Sequence, residues 1–281
     1  EAAGLKAFTS TGFTLGTGAN GYNDNTEKFV SYSWLAGGAP TADNTNAAGA
    51  APVSGSVMVN GSANTDNLVG TKAALKISAN TSSGFSIVRW DSSANAAVTI
   101  DHKLGKVPKM YWVKAVDQDY GWYVYHEGIG NTHYLLLHDE ANPADNVYWN
   151  DTTPTSTVFS VSSASALEGV NHTGKDFIAY LWADVEGFSK FGSYKGNGNA
   201  YGPFIYLGFK PAIFIIKRAD STGAWQVYDN VRDPRNPADY RIWLEADSAN
   251  ASNGEGTLDF YSNGVKPRNT QTWFNASGGT F

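Results

Sequence analysis

A 103-residue echo runs through this chain and limits what it can fold into. Gly84-Phe85-Ser86 returns as Gly187-Phe188-Ser189, Pro108 as Pro211, Lys114 as Lys217, Trp122 as Trp225 and Tyr125 as Tyr228. An internal repeat sets the architecture before single elements are read, because each copy has to bury equivalent faces. It also constrains function. A site built on repeating positions occurs twice, and any other site must explain why one copy lacks it.

The segments inside each copy read as strands. Short runs rich in β-branched and aromatic residues lie between Gly, Asn, Asp and Pro clusters. In the first copy these are residues 84–90, 108–116, 122–125, 134–138, 157–161 and 177–182. In the second they are 204–209, 212–218, 225–228, 240–244 and 257–261. Ala212-Ile213-Phe214-Ile215-Ile216 is apolar on both strand faces and so predicts a central strand covered on both sides, as does Met110-Tyr111-Trp112-Val113. Asn197-Gly198 and Asn263-Gly264 supply the positive φ of tight hairpins. The predicted fold is all-β, built of tandem antiparallel β-sandwich repeats of jelly-roll-like kind.

A third, partial echo precedes the two copies. Phe29-Val30-Ser31-Tyr32-Ser33-Trp34 matches Phe177-Ile178-Ala179-Tyr180-Leu181-Trp182 at a constant offset. Residues 1–37 therefore read as the closing strands of a preceding repeat, and 38–83 as a Gly/Ala/Asn/Ser-rich connector with short strands. Residues 84–186 form a sandwich repeat, and 187–281 a second that lacks its last strand. That strand type carries about four large apolar side chains, worth about 6–12 kcal/mol of burial in all. The open groove is expected to be filled, either by an assembly strand of Phe29, Val30, Tyr32 and Trp34, in cis or from another copy, or by chain beyond Phe281. Because it begins with Glu1, the sequence is expected to be processed or a piece of something longer.

Bulk chemistry narrows the function classes. The chain is 16% charged, against a usual roughly 25%, and Asn, Ser, Thr and Gly fill the difference. Its net charge of −6 argues against a nucleic-acid partner, which would need a basic stripe. There is no Cys, which removes disulfides and thiolate metal sites. No apolar run nears the roughly 20 residues of a membrane helix. A hydroxyl- and amide-rich surface suits an extracellular setting.

The stretch Val185-Glu186-Gly187-Phe188-Ser189-Lys190-Phe191-Gly192-Ser193-Tyr194-Lys195-Gly196-Asn197-Gly198 is the longest distinctive motif. It continues through Gly202-Pro203-Phe204 and Gly208-Phe209-Lys210-Pro211 to Ile215-Ile216-Lys217-Arg218, and Ala36-Gly37-Gly38-Ala39-Pro40-Thr41-Ala42-Asp43-Asn44-Thr45 adds to it. Together these resemble an uncharacterised repeat domain of tailed-phage virion and tail-fibre proteins, especially from marine phages, which is often found beside concanavalin-like lectin modules. The resemblance implies a virion component and carries no catalytic residues.

Candidate chemistry is sparse. His126, His133 and His138 lie close in sequence, but the second copy has Asp229 in place of His126, so packed or solvated histidines are the ordinary reading. Asp139/Glu140 and Glu245/Asp247 offer carboxylates for glycoside hydrolysis, yet adjacent acids rarely flank one bond. Asp117, Asp119, Asp139 and Asp145 could supply oxygen ligands to Ca²⁺, although no defined calcium loop is present. Gly192 to Gly198 lacks the Lys-Ser/Thr ending of a phosphate cradle. Trp-x-Val places Trp122 with Val124, and Trp225 with Val227, on one face as core. Tyr125 and Tyr228 fall on the opposite face. With His126, Arg218 and Asp229 they form the expected ligand face. The chain is expected to be non-enzymatic and to display sandwich modules for attachment to a host-surface glycan. The alternative is a self-assembling structural protein that polymerises by strand exchange. On either reading the expected partners are further copies of itself or other virion proteins, together with the host-surface glycan.

Overall fold

The computed structural model describes residues 4–16, 23, 27–92, 96–162, 168–246, 250–252 and 257–281. The chain divides into two units, Glu1–Trp34 and Leu35–Phe281. In the first unit β1 (Leu5–Phe8) and β2 (Phe13–Leu15) form an antiparallel hairpin. No strand forms at Phe29–Trp34, and Phe29, Val30 and Trp34 expose between a third and half of their surface. Within the single chain the expected assembly strand is therefore not formed. Alternating apolar residues permit a strand, but only ladder bonds to a neighbouring edge create one.

The second unit is built on a nine-stranded sheet. Its members are β3 (Val57–Val59), β4 (Ser62–Ala63), β5 (Lys76–Asn80), β6 (Phe85–Asp91), β8 (Met110–Ala115), β9 (Tyr123–His126), β10 (His133–Leu136), β11 (Ala144–Asp145) and β13 (Asp176–Trp182). They lie in the order β11-β10-β9-β8-β13-β6-β5-β3-β4, antiparallel except for the parallel β3–β5 pair. A separate hairpin-like pair, β7 (Val98–Asp101) with β12 (Val158–Val161), completes this half.

Alternation along the central strands explains the layers. Tyr111, Val113 and Ala115 of β8 and Phe177, Ala179 and Leu181 of β13 share a core with Ile100, Phe159 and Val161 of the β7–β12 pair. Met110, Trp112 and Trp182 point to the other face. The large sheet is thus covered on both sides, as the doubly apolar β8 requires.

The expected connector at 38–83 is instead part of this sheet. Val57, Ile77 and Ala79 are fully buried in its core. Gly37 explains the close fit, since a Cβ there would sit 2.1 Å from Ala79 O and 2.6 Å from Met58 O. Asn44 holds the preceding loop. Its Nδ2 donates to Asn46 O and Ala74 O, and its Oδ1 accepts from the N–H groups of Asn46 and Val53.

The second repeat contains β14 (Ile205–Tyr206), β15 (Ile213–Ile216), β16 (Gln226–Asp229), β17 (Ile242–Trp243), β18 (Leu258–Tyr261) and β19 (Gly264–Pro267). They form two three-stranded sheets, β15-β16-β17 and β14-β19-β18. Between these lie Ile216, Tyr228, Leu258, Phe260, Val265, Phe274 and Phe281.

The echo is reproduced in the ladders. Met110↔His126, Tyr111↔Tyr125, Trp112↔Val124 and Val113↔Tyr123 in β8–β9 become Ile213↔Asp229, Phe214↔Tyr228, Ile215↔Val227 and Ile216↔Gln226 in β15–β16. The aromatic pair Trp90–Phe177, 5.6 Å between centroids and 20° apart, has its counterpart in Tyr194–Phe281 at 5.2 Å and 21°. The backbones of Tyr194 and Phe281 also exchange both of their hydrogen bonds.

One expectation fails here. Strand β15 lies at a sheet edge, with β16 on one side and no second neighbour among the described residues. Its counterpart β8 has β9 on one side and β13 on the other. Apolar residues on both faces require cover above and below, and say nothing about neighbours in the sheet plane. Ile215 faces the first repeat and Phe214 its own core.

Candidate functional site: a cleft where the repeats meet

The two repeats share an apolar layer of Phe85, Met110, Val124, Leu135, Trp182 and Trp225, with Ile215 and Leu244 packed against it. Polar bonds cross the same junction. Trp225 Nε1 donates to Leu136 O at 2.8 Å, and Gly223 N–H donates to Glu140 O at 2.9 Å. Lys217 Nζ donates to Glu140 O and Ala141 O, each at 2.9 Å. Its echo Lys114 donates instead to Gln118 O and Tyr120 O of its own loop. The repeating lysine therefore clasps a turn in one copy and ties the copies together in the other. Burial lowers the Lys217 ammonium from 10.5 to about 8, against the opposing pull of Glu245, Asp139 and Glu140.

Beside this junction opens a cleft of about 270 Å³, bounded by Glu140 of the first repeat and by Arg218, Gln226, Arg241, Trp243 and Trp273 of the second. Arg218 is already engaged. Its Nε lies 2.8 Å from Asp220 Oδ1, and its Nη1 donates to Thr272 O at 3.0 Å. Arg241 is only 8% exposed. Its guanidinium lies 5.3 Å from the Trp243 ring centroid and 5.6 Å from that of Trp273, within cation–π range of both. The Tyr228 hydroxyl is beside it and donates to Gln226 Oε1 at 2.8 Å. Among the described residues Arg241 has no ion-pair partner. Within the same residues, Arg241 Nη1 and Trp273 Nε1 are buried donors without an acceptor.

The repeat exposes what is special here. Tyr123 pairs with Leu136 in the first copy, and Gln226 with Trp243 in the second. Arg241 thus stands where the first copy has Tyr134, and Gln226 where it has Tyr123. Tyr123, Tyr134 and Tyr148 pack as an aromatic trio with centroids 4.5–5.7 Å apart. The second copy replaces two members of a packed cluster with a charged and an amide side chain. That departure from the echo is the signal by which sequence could have found the site. It is hidden because the offset grows from 103 to 107 between β16 and β17.

The expected ligand face is not assembled as a surface. Tyr125 is buried, stacked on Tyr111 at 4.5 Å, and its burial raises its hydroxyl to about 12. Tyr228 is buried as well. Asp229 is buried, ion-paired with Arg232, and accepts the N–H groups of Val231 and Arg232. His126 Nδ1 accepts the N–H of Gly128, and burial lowers its pKa. The physical reason is that each strand of the β8–β9 and β15–β16 pairs is covered on both faces, so the side opposite the Trp is also interior. Of the five residues Arg218 alone lines the cleft, and Tyr228 supports it through Gln226.

The calcium candidates remain dispersed. Asp117 Oδ1 accepts from Asp176 N–H, Asp139 Oδ1 from Ala141 N–H, Asp119 is exposed, and Asp145 lies on β11. Among the described residues no group of three or more His, Asp or Glu is placed to hold a metal ion, and no helix is long and apolar enough to cross a membrane.

Fold and cleft together define an all-β protein of packed sandwich repeats with a polar-aromatic recess at their junction. The chain belongs to the family described as a domain of unknown function, DUF7483, which matches residues 43–281 in a single run across both repeats. No curated protein and no solved structure matches it.

Proposed function

We propose that this chain is a non-enzymatic component of a phage virion, of tail-fibre type, which works outside the cell and attaches to a glycan of the host surface. The junction cleft carries the reading. Indole rings beside guanidinium and amide groups are the side chains that stack on sugar rings and bond their hydroxyls, and concave recesses with a few converging polar groups are the usual form of small-ligand sites. The sequence resemblance to tail-fibre repeats and the weakly charged surface support the setting. A glycan array probed with the labelled chain tests it. Binding to at least one bacterial surface polysaccharide, lost in Trp243→Ala, is expected. Absence of binding to every glycan, with host adsorption unchanged when the protein is deleted from the particle, would overturn it.

A second reading is favoured by the edge of β15. Its counterpart β8 is completed by β13, and the Phe29–Trp34 sequence matches β13. Strand addition from another copy would cover that edge. Deleting residues 1–34, which leaves the second unit whole, should then abolish assembly in analytical ultracentrifugation. Unchanged association of the deleted chain would refute strand exchange.

A further inference from the structure

We infer that the junction cleft selects a carboxylated sugar, with Arg241 bonding the carboxylate and the neighbouring indole and amide groups holding the ring. The inference rests on the sugar-binding reading above and narrows its ligand. Its starting point is the unspent charge of Arg241. Buried cations are ordinarily paired, and a buried donor without an acceptor calls for an explanation such as an absent ligand or ion. Arg241 has cation–π neighbours and the Tyr228 hydroxyl, which soften burial but neutralise no charge. Two donors that border one recess, Arg241 Nη1 and Trp273 Nε1, both lack acceptors among the described residues. An acceptor-rich anion would satisfy both.

The charge balance of the cleft sets the kind of anion. Arg218 is matched by Asp220, so among the charged side chains bordering the cleft Arg241 is the one unmatched cation, and Glu140 also lies on its boundary. One carboxylate matches the one unpaired guanidinium, whereas a phosphate dianion or a multiply sulfated chain would add further negative charge beside Glu140. The planar guanidinium fork also suits a carboxylate in particular. A volume of about 270 Å³ corresponds to about nine liquid waters at about 30 Å³ each, which fits a single ring. The aromatic trio that fills this place in the first repeat leaves no such donors, so the site occurs once.

The test uses the full chain and tryptophan fluorescence titration with size-matched probes. Tetragalacturonate and sialyllactose carry the carboxylate in two chemical settings, while galactotetraose and lactose are neutral controls, and acetate and inorganic phosphate report bare anion binding. At least one carboxylated probe should bind tenfold or more tightly than its neutral partner, and whichever of the two binds identifies its source as a uronate or a nonulosonate. Arg241→Gln should remove that preference, and Trp273→Phe, which deletes the Nε1 donor together with part of the indole ring, should reduce it severalfold. The Trp273 variant and the wild-type ratio keep the inference testable if Arg241→Gln fails to fold. Equal binding of neutral and carboxylated probes would overturn the carboxylate assignment while leaving the sugar-binding reading intact. Binding of acetate or phosphate with no added affinity for any sugar, or no binding at all, would overturn both.

Discussion

Protonation of His102 should weaken the fold by about 3 kcal/mol as the pH falls from 7 to 4. The ring is fully buried between β7 and the loop that follows it. Its Nδ1 accepts the Leu104 N–H at 3.2 Å, and its Nε2 faces Thr155 O at 3.2 Å. That arrangement suits one neutral tautomer, with the proton on Nε2. Burial lowers the pKa from 6.5 to about 4, opposed by the Thr155 carbonyl and by Asp101. Asp101 is a weak source of relief because Lys103 Nζ, Lys103 N–H and Val69 N–H already share its oxygens. Between pH 6.5 and 4 the unfolded chain binds a proton that the native chain refuses, so stability is full above 6.5 and declines as pH falls to 4. At about 1.4 kcal/mol per pKa unit, the difference comes to about 3 kcal/mol. Urea unfolding of wild type and His102→Gln at steps from pH 7 to 4 isolates this residue, because the carboxylates titrate alike in both. The wild type should lose about 3 kcal/mol relative to the variant. A constant gap across that range, or an NMR titration of the folded His102 ring with a midpoint near 6.5, would refute the reasoning.

Three further outcomes can be checked on the same preparation. Lys217 titrates lower in the fold than in the unfolded chain, so wild type should gain stability relative to Lys217→Met as pH rises from about 8 to 10.5; a flat difference in urea midpoints would contradict this. Gly37→Ala should cost about 3 kcal/mol, since its Cβ meets backbone atoms of Ala79 and Met58 that cannot rotate away, and calorimetry should register a fall in Tm of roughly 10 °C. Asn44→Ala strips four hydrogen bonds from a buried loop and should cost about 2–4 kcal/mol in the same scan.

Much of the strand framework was readable because the echo fixes ladders as well as segments. Residues 103 apart in β8–β9 and β15–β16 take the same partners, so a single alternation pattern, read twice, located both hairpins. The short strand at 57–59 falls within the expected connector, whereas the strand at 76–80 is hidden because its buried positions hold small or polar side chains, as in Lys76-Ile77-Ser78-Ala79-Asn80. Composition makes such a run look like linker when small residues are in fact what close sheet packing demands. The burial of Tyr125 and Tyr228 escaped for another reason. Alternation assigns a side chain to a face, but only the packing of whole layers decides whether that face is wet. Arg241 escaped because four extra residues before β17 break the constant spacing that would have set it against Tyr134.

Beside the cleft, the bonds that join the repeats end on backbone oxygens. Trp225 Nε1, Gly223 N–H and Lys217 Nζ all donate to carbonyls of Leu136, Glu140 and Ala141. A carbonyl is the same whichever side chain its residue carries. The wall of the cleft that Glu140 forms is therefore anchored by a grip indifferent to sequence. Substitution at Glu140 can thus change what the recess admits without loosening the joint.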